Sequence, residues 1–184
     1  QSFTIPELVV VTLIGTLNFA LMLVVSLALP TLPPFVAIFF IALLNVLCRL
    51  IVDKFGAITL AYLAFTALSI PTPIFGIPGP HHLLFGLVTG LACDIALSVT
   101  QGRNSLLRGA LYGIVDTIVM TPLSSLITFL LFHDPLAKQM IQGLMVTFIL
   151  ISLVVQIPGG IVGALVYNSI RERQIVRMIR AWKK

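Results

Sequence analysis

Charge is scarce in this sequence. Asp, Glu, Lys and Arg together make up 9% of 184 residues, where a soluble domain carries about 25%. That shortage excludes a solvated globular surface. Cysteine is scarcer still. Cys48 and Cys93 both lie inside apolar stretches and at no metal-ligand spacing, so neither a disulfide framework nor a thiolate metal centre is expected. The phosphate-cradling Gly-x-x-x-x-Gly-Lys-Ser/Thr motif is missing, so the chain does not drive work with ATP by itself. No apolar stretch carries the Arg or Lys ladder of a voltage sensor. Aromatic residues do not interleave the cations, which argues against nucleic acid despite a net charge of +5.

Apolar residues fill the space that charge leaves. The chain is 59% hydrophobic, with a mean hydropathy of +1.13. At about 20 residues per crossing, there is room for roughly six or seven helices. The first apolar stretch is too long for a signal peptide. Span one is expected from Glu7 to Leu29, ended by Pro30, Pro33 and Pro34, and span two from Phe35 to Val52. Span three runs from Gly56 to Ile70 and is short. Span four runs from His81 and His82 to Val99. Span five runs from Leu106 to Phe132 with a kink at Pro122, and span six from Gln139 to Ile170 with a bend at Pro158-Gly159-Gly160. The expected fold is therefore all-α, a polytopic six-helix transmembrane bundle over residues 1–170. Residues 171–184 form a basic amphipathic tail on the cytoplasmic surface.

The cations give this bundle a direction. Arg49, Lys54, Arg103, Arg108, Arg171, Arg173, Arg177, Arg180, Lys183 and Lys184 fall at span ends on one side, and only Lys138 falls on the other. Cytoplasmic loops keep the positive charge. Both termini are therefore expected in the cytoplasm, and the protein in the cell membrane as a multi-pass component. Contact with anionic lipid is a secondary expectation.

Two charged groups lie within the spans, Asp94 and Asp116. Such groups are costly in hydrocarbon and are functional candidates by default. At about 1.5 Å per residue, Asp94 lies roughly 20 Å from the outer start of its span, and Asp116 roughly 12 Å from Arg108. Both are expected in the inner half. They serve either as a cation or proton relay, or as structural partners of Arg49, Arg108 or helix ends. The outer half gathers a different set. His81, His82 and Phe85 open span four beneath the loop Pro71–Pro80, which holds Phe75 and is read as an ordered cap. Ser124, Ser125 and Thr128 line the end of span five, Gln139 and Gln142 start span six, and Phe35, Phe39, Phe129 and Phe148 lie at similar depth. Aromatic faces with a few amides, hydroxyls and imidazoles suit a small heterocyclic ligand. Against this stands the plainer reading, in which hydroxyls bond their own helices and Phe faces lipid. Metal chelation by His81 and His82 together is disfavoured, because adjacent helix residues point about 100° apart.

Small residues mark close helix packing. Thr12, Thr16 and Ala20 recur at four-residue spacing on span one, with Gly15 beside them. Spans four to six carry Gly86 and Gly90, Gly109 and Gly113, and Gly159, Gly160 and Gly163. Packing within the chain accounts for the later spans, while the stripe on span one could receive a partner's helix.

This layout resembles the substrate-binding S component of energy-coupling factor (ECF) vitamin transporters. The local likeness is best to the YkoE-type components associated with thiamine or its hydroxymethylpyrimidine precursor. It rests on Gly76-Ile-Pro-Gly-Pro80, on Gly86-Leu-Val-Thr-Gly90-Leu-Ala-Cys-Asp94 and on Gly159-Gly-Ile-Val-Gly163-Ala-Leu. The resemblance implies a binding subunit without catalysis or cofactor of its own. It captures a vitamin or precursor from outside, beneath the loop. It then docks through its first span on a transmembrane T component carrying two ATPase subunits, which bind the ATP. Two departures stand out: Thr12, Thr16 and Ala20 replace the family's Ala-x-x-x-Ala signature, and Trp occurs only at Trp182, so stacking must come from Phe or Tyr. The competing expectations are a membrane-embedded enzyme and an ion-coupled carrier, each using Asp94 and Asp116.

Overall fold

The structure is a computed structural model, and it describes residues 2–28, 35–75, 77–133, 135–173, 176 and 179. Pro30, Pro33, Pro34, Gly76, Asp134 and most of the basic tail lie outside the described residues. So do Arg177, Arg180, Trp182, Lys183 and Lys184, and with them the surface-helix expectation.

The described chain is helical, with no strand among the described residues. Its elements are α1 (Ile5–Ala28), α2 (Phe35–Val52), α3 (Ala57–Ser69), a 3-10 turn (Pro73–Phe75), α4 (His82–Val99), α5 (Ser105–Phe132), α6 (Pro135–Gln139), a π turn (Met140–Leu144) and α7 (Met145–Ile170). Five segments are long and apolar enough to cross a membrane. The sixth, α3, has 13 residues, too few to cross without help from its flanking loops. Span six differs from expectation at its start: a short helix and a π turn precede α7. Both α5 and α7 run on through Pro122 and Pro158. Past Pro122, the Ser124 and Ser125 hydroxyls both donate to the Thr121 carbonyl at 3.1 Å.

The long helices close into a ring in the order α1, α3, α4, α5, α7, α2 and back to α1. Glycine sets the tightest contacts. A Cβ on Gly160 would collide with the Gly109 carbonyl, and one on Gly109 with the Gly160 carbonyl, so α5 and α7 touch backbone to backbone there. Gly90 meets Thr59 of α3 in the same way, at 2.6 Å from where its Cβ would lie. The packing expected of the later spans is thus present. Gly15 is a correction. It is buried against the Ala61 carbonyl of α3, 2.5 Å from its would-be Cβ, so it serves the bundle's own packing. Thr12, Thr16 and Ala20 face outward and are exposed.

The two ends of the ring differ. One end gathers Lys54, Arg49, Arg103, Arg108 and Arg171. Lys54 Nζ sits 2.7 Å from Glu7 of α1, which also accepts from the Thr4 backbone N–H at 2.8 Å and so caps its own helix start. Asp53 joins α2 to α5, at 3.3 Å from Arg49 and 3.7 Å from Arg108. The other end carries the loop with Phe75, with His81 tilted against Phe132 at 4.8 Å between centroids.

Candidate functional site

Inside the ring lies a cavity of about 220 Å³. It opens beneath the Phe75 loop and descends to Asp116 of α5. Its walls are aromatic and apolar: Phe35 from α2, Phe65 from α3, Phe75 from the loop and Phe148 from α7. Phe75 packs edge-on against Phe65 at 5.3 Å, and Phe35 lies 6.3 Å from Phe148. The polar lining is confined to Asp116, Gln156, Tyr62 and the hydroxyls of Thr121, Ser124, Ser125 and Ser152. Apolar walls around a few directed polar groups are the usual make-up of a small-molecule site.

A hydrogen-bonded chain runs from α1 to this floor. Asn18 Nδ2 donates to Asn45 Oδ1 at 2.9 Å, and Asn45 Nδ2 donates to the Tyr112 hydroxyl at 2.8 Å. The Tyr112 and Tyr62 hydroxyls are 3.1 Å apart, and Tyr62 donates to Asp116 Oδ1. With the Tyr62 proton committed to the carboxylate, the Tyr112 proton goes to Tyr62 or to Asp116 itself. Every donor in the chain therefore points toward Asp116, and bonds aligned in this way polarise and strengthen one another. All five side chains are buried. Gln156 also hydrogen-bonds Asp116, while its Oε1 is buried without a partner. The floor thus presents a carboxylate held by neutral donors, beside an idle amide oxygen. That combination accepts hydrogen bonds and suits a ligand edge rich in N–H, or a cationic nitrogen.

Asp94 plays a different part. Its Oδ2 accepts from the Thr59 backbone N–H at 2.9 Å and from the Thr59 hydroxyl at 2.7 Å, and its Oδ1 lies 3.5 Å from the Ile58 nitrogen. Arg49 Nε sits 3.3 Å from Oδ1. Asp94 therefore caps the start of α3 from a neighbouring helix, placing negative charge where the first N–H groups lack partners. It does not line the cavity. The pairing with Arg49 and a helix end matches the structural alternative drawn from the sequence, and among the described residues no cation pairs with Asp116. The two acids hold different hydrogen-bond partners.

Among the residues expected around a ligand, the structure brings Phe75, Phe35, Phe148, Ser124 and Ser125 to the cavity. His82 and Phe85 lie directly behind it, at 5.4 and 6.0 Å between ring centroids. His82 is fully buried, and its nitrogens are occupied: Nδ1 lies 3.1 Å from Ser69 and Nε2 3.1 Å from the Ile77 carbonyl. It ties the loop to α3 and does not face a ligand. His81 is buried against Phe132, and burial, reinforced by His82, holds its imidazole below the ordinary value. Thr128 is buried outside the cavity lining. Gln139 and Gln142 are exposed, because the short helix and π turn swing them away from the ring's interior. Among the described residues, no group of three or more His, Cys, Asp or Glu could hold a metal ion.

Sequence reasoning passed over Tyr62, Tyr112, Asn45, Asn18 and Gln156. A signal existed, since uncharged polar residues inside apolar spans must also find partners in hydrocarbon. Compared with known proteins, the chain matches no protein family, no curated protein and no solved structure.

Proposed function

We propose that this protein is the substrate-binding membrane subunit of an ECF-type importer, and that it takes a small nitrogen heterocycle into the cavity beneath the Phe75 loop. The observation that carries this reading is the pairing of aromatic walls with an accepting floor at Asp116 and Gln156. A ring fits between Phe65, Phe75, Phe35 and Phe148, and its amino or cationic edge meets the carboxylate. Ordinary ligand pockets enclose roughly 300–1,000 Å³. The smaller volume here favours a single ring of the hydroxymethylpyrimidine type over two-ring thiamine.

The direction of transport rests on charge. The cation-rich end faces the cytoplasm by the distribution of Lys and Arg, which turns the Phe75 loop outward and leaves both termini inside the cell membrane. Release then needs a partner, because the chain carries no ATP-binding motif. The exposed stripe of Thr12, Thr16 and Ala20, beside a hollow lined by Leu8, Thr12 and Thr16, is the surface on which a T component with its two ATPase subunits would dock. The stripe's small side chains let a partner helix approach closely in lipid.

The test is binding of hydroxymethylpyrimidine, thiamine and an uncharged ring of equal size to detergent-purified full-length protein without ATP. Saturable binding of the pyrimidine, weakened about tenfold or more by Asp116→Asn or Gln156→Leu, is expected from the loss of one charge-assisted hydrogen bond. Equal affinity for the uncharged ring, or binding indifferent to both substitutions, would overturn it.

A further inference from the structure

The basic end holds a second hollow, of about 610 Å³, framed by the α4–α5 turn, the first turn of α5 and the end of α7. Arg103, Arg108 and Arg171 all face it. Arg103 and Arg171 are exposed, while Arg108 is 7% exposed. The Nε and Nη2 atoms of Arg108 are buried and make no hydrogen bond. The carboxylate of Asp53, which also lines the hollow, pairs with Nη2 at 3.7 Å and lies closer to Arg49, at 3.3 Å, so it is shared between two guanidinium groups. Arg171 reaches Glu172 only at 3.8 Å, with both side chains largely in solvent.

Idle donors on a buried guanidinium are costly unless an acceptor reaches them. The surroundings are built for an anionic one. Asn104 caps the start of α5, accepting from the Leu106 N–H at 2.9 Å, so the positive end of a 28-residue helix borders the hollow. Ser105 and Asn168, which also line it, satisfy each other at 2.9 Å and add no charge. The guanidinium groups converge from three separate elements, and an anion with several oxygens can bridge them. We infer that this hollow binds a phosphate-bearing anion, with Arg108 at its base and Arg103 and Arg171 at its rim. Phosphate of this kind reaches it from an anionic phospholipid headgroup, at the level where membrane-flanking cations sit, or from free phosphate.

The experiment places the full chain in nanodiscs of phosphatidylcholine alone or mixed with phosphatidylglycerol. Lipid retention is read by native mass spectrometry. In the phosphatidylcholine discs, inorganic phosphate is titrated against chloride at matched ionic strength, with binding read from thermal unfolding. Preferential retention of phosphatidylglycerol identifies the headgroup as the source, and protection by inorganic phosphate identifies the free anion. Either signal should weaken about tenfold in an Arg103→Gln/Arg171→Gln variant, whose exposed side chains do not support folding. It should weaken further in Arg108→Gln and stay unchanged in Lys138→Gln at the opposite end. The inference fails if neither phosphatidylglycerol nor phosphate is preferred, or if the double variant binds as the parent does.

Discussion

Neutralising the two intramembrane acids one at a time should separate folding from ligand capture. Asp94→Asn takes from Arg49, 1% exposed, the more deeply buried of its two carboxylate partners, leaving Asp53 at 3.3 Å, and it weakens the cap on α3, since an amide presents one acceptor oxygen where the carboxylate presents two. Breaking a buried ion pair from one side costs about 3–5 kcal/mol. At roughly 2–4 °C per kcal/mol for a chain of this size, the midpoint of thermal unfolding in detergent should fall by about 10 °C. Asp116→Asn strands no cation, and its remaining oxygen still accepts from Tyr62. Its effect on stability should stay near about 1 kcal/mol, the scale of one hydrogen bond, while binding of a cationic heterocycle collapses. Circular dichroism melts and equilibrium binding on the same preparations measure both quantities. If the two variants lose equal stability, or if Asp94→Asn alone abolishes binding at temperatures where it is folded, the division of labour between the acids is wrong.

Three further outcomes follow from local geometry. Gly160→Ala should destabilise the bundle by about 1–3 kcal/mol or more, since its methyl meets the Gly109 backbone. Gly143→Ala, with open space around it, should be neutral or stabilise by up to about 1 kcal/mol; denaturant unfolding of both compares them, and equal effects would refute the crossing. Glu7→Gln should cost more than Glu7→Gln combined with Lys54→Met, because the single change leaves Lys54 buried and unpaired, and a double-mutant cycle reads the difference. His81 is held below its ordinary value, so its neutral form is the one the fold favours. Its contribution is whole above about pH 6.5 and is lost as pH falls through that range. His81→Phe should flatten the acid side of the stability profile, and an unchanged slope would assign that limb to other groups.

The helices were legible because length and hydropathy alone identify apolar spans, and the boundaries of α2, α4 and α5 fall where Arg49, His82 and the turn at 100–104 put them. The start of span six was not legible. Nothing in Gln139-Met-Ile-Gln142 distinguishes an α turn from a π turn, and that choice moves both glutamines out of the ring. The cavity was half visible. Phe75 could be named from its proline-stiffened loop, but spans that are apolar on all sides carry no periodicity to show which face turns inward. Gln156 and Tyr62 could not be told from residues facing a neighbouring helix. Asp94 and Asp116 looked equivalent at similar depth. What separates them is lateral: Asp94 lies beside the start of α3 and Arg49, and Asp116 lies among hydroxyls above the ring's centre.

That lateral difference also suggests why the floor is built from neutral donors. A cation at Asp116 would satisfy the carboxylate permanently and close the site to a cationic ligand. The row of donors from Asn18 through Asn45, Tyr112 and Tyr62 supports the same carboxylate while leaving its charge unneutralised. The row also begins on α1, whose opposite face carries the exposed Thr12 and Thr16. The row therefore links the cavity floor to α1 by hydrogen bonds across the bundle.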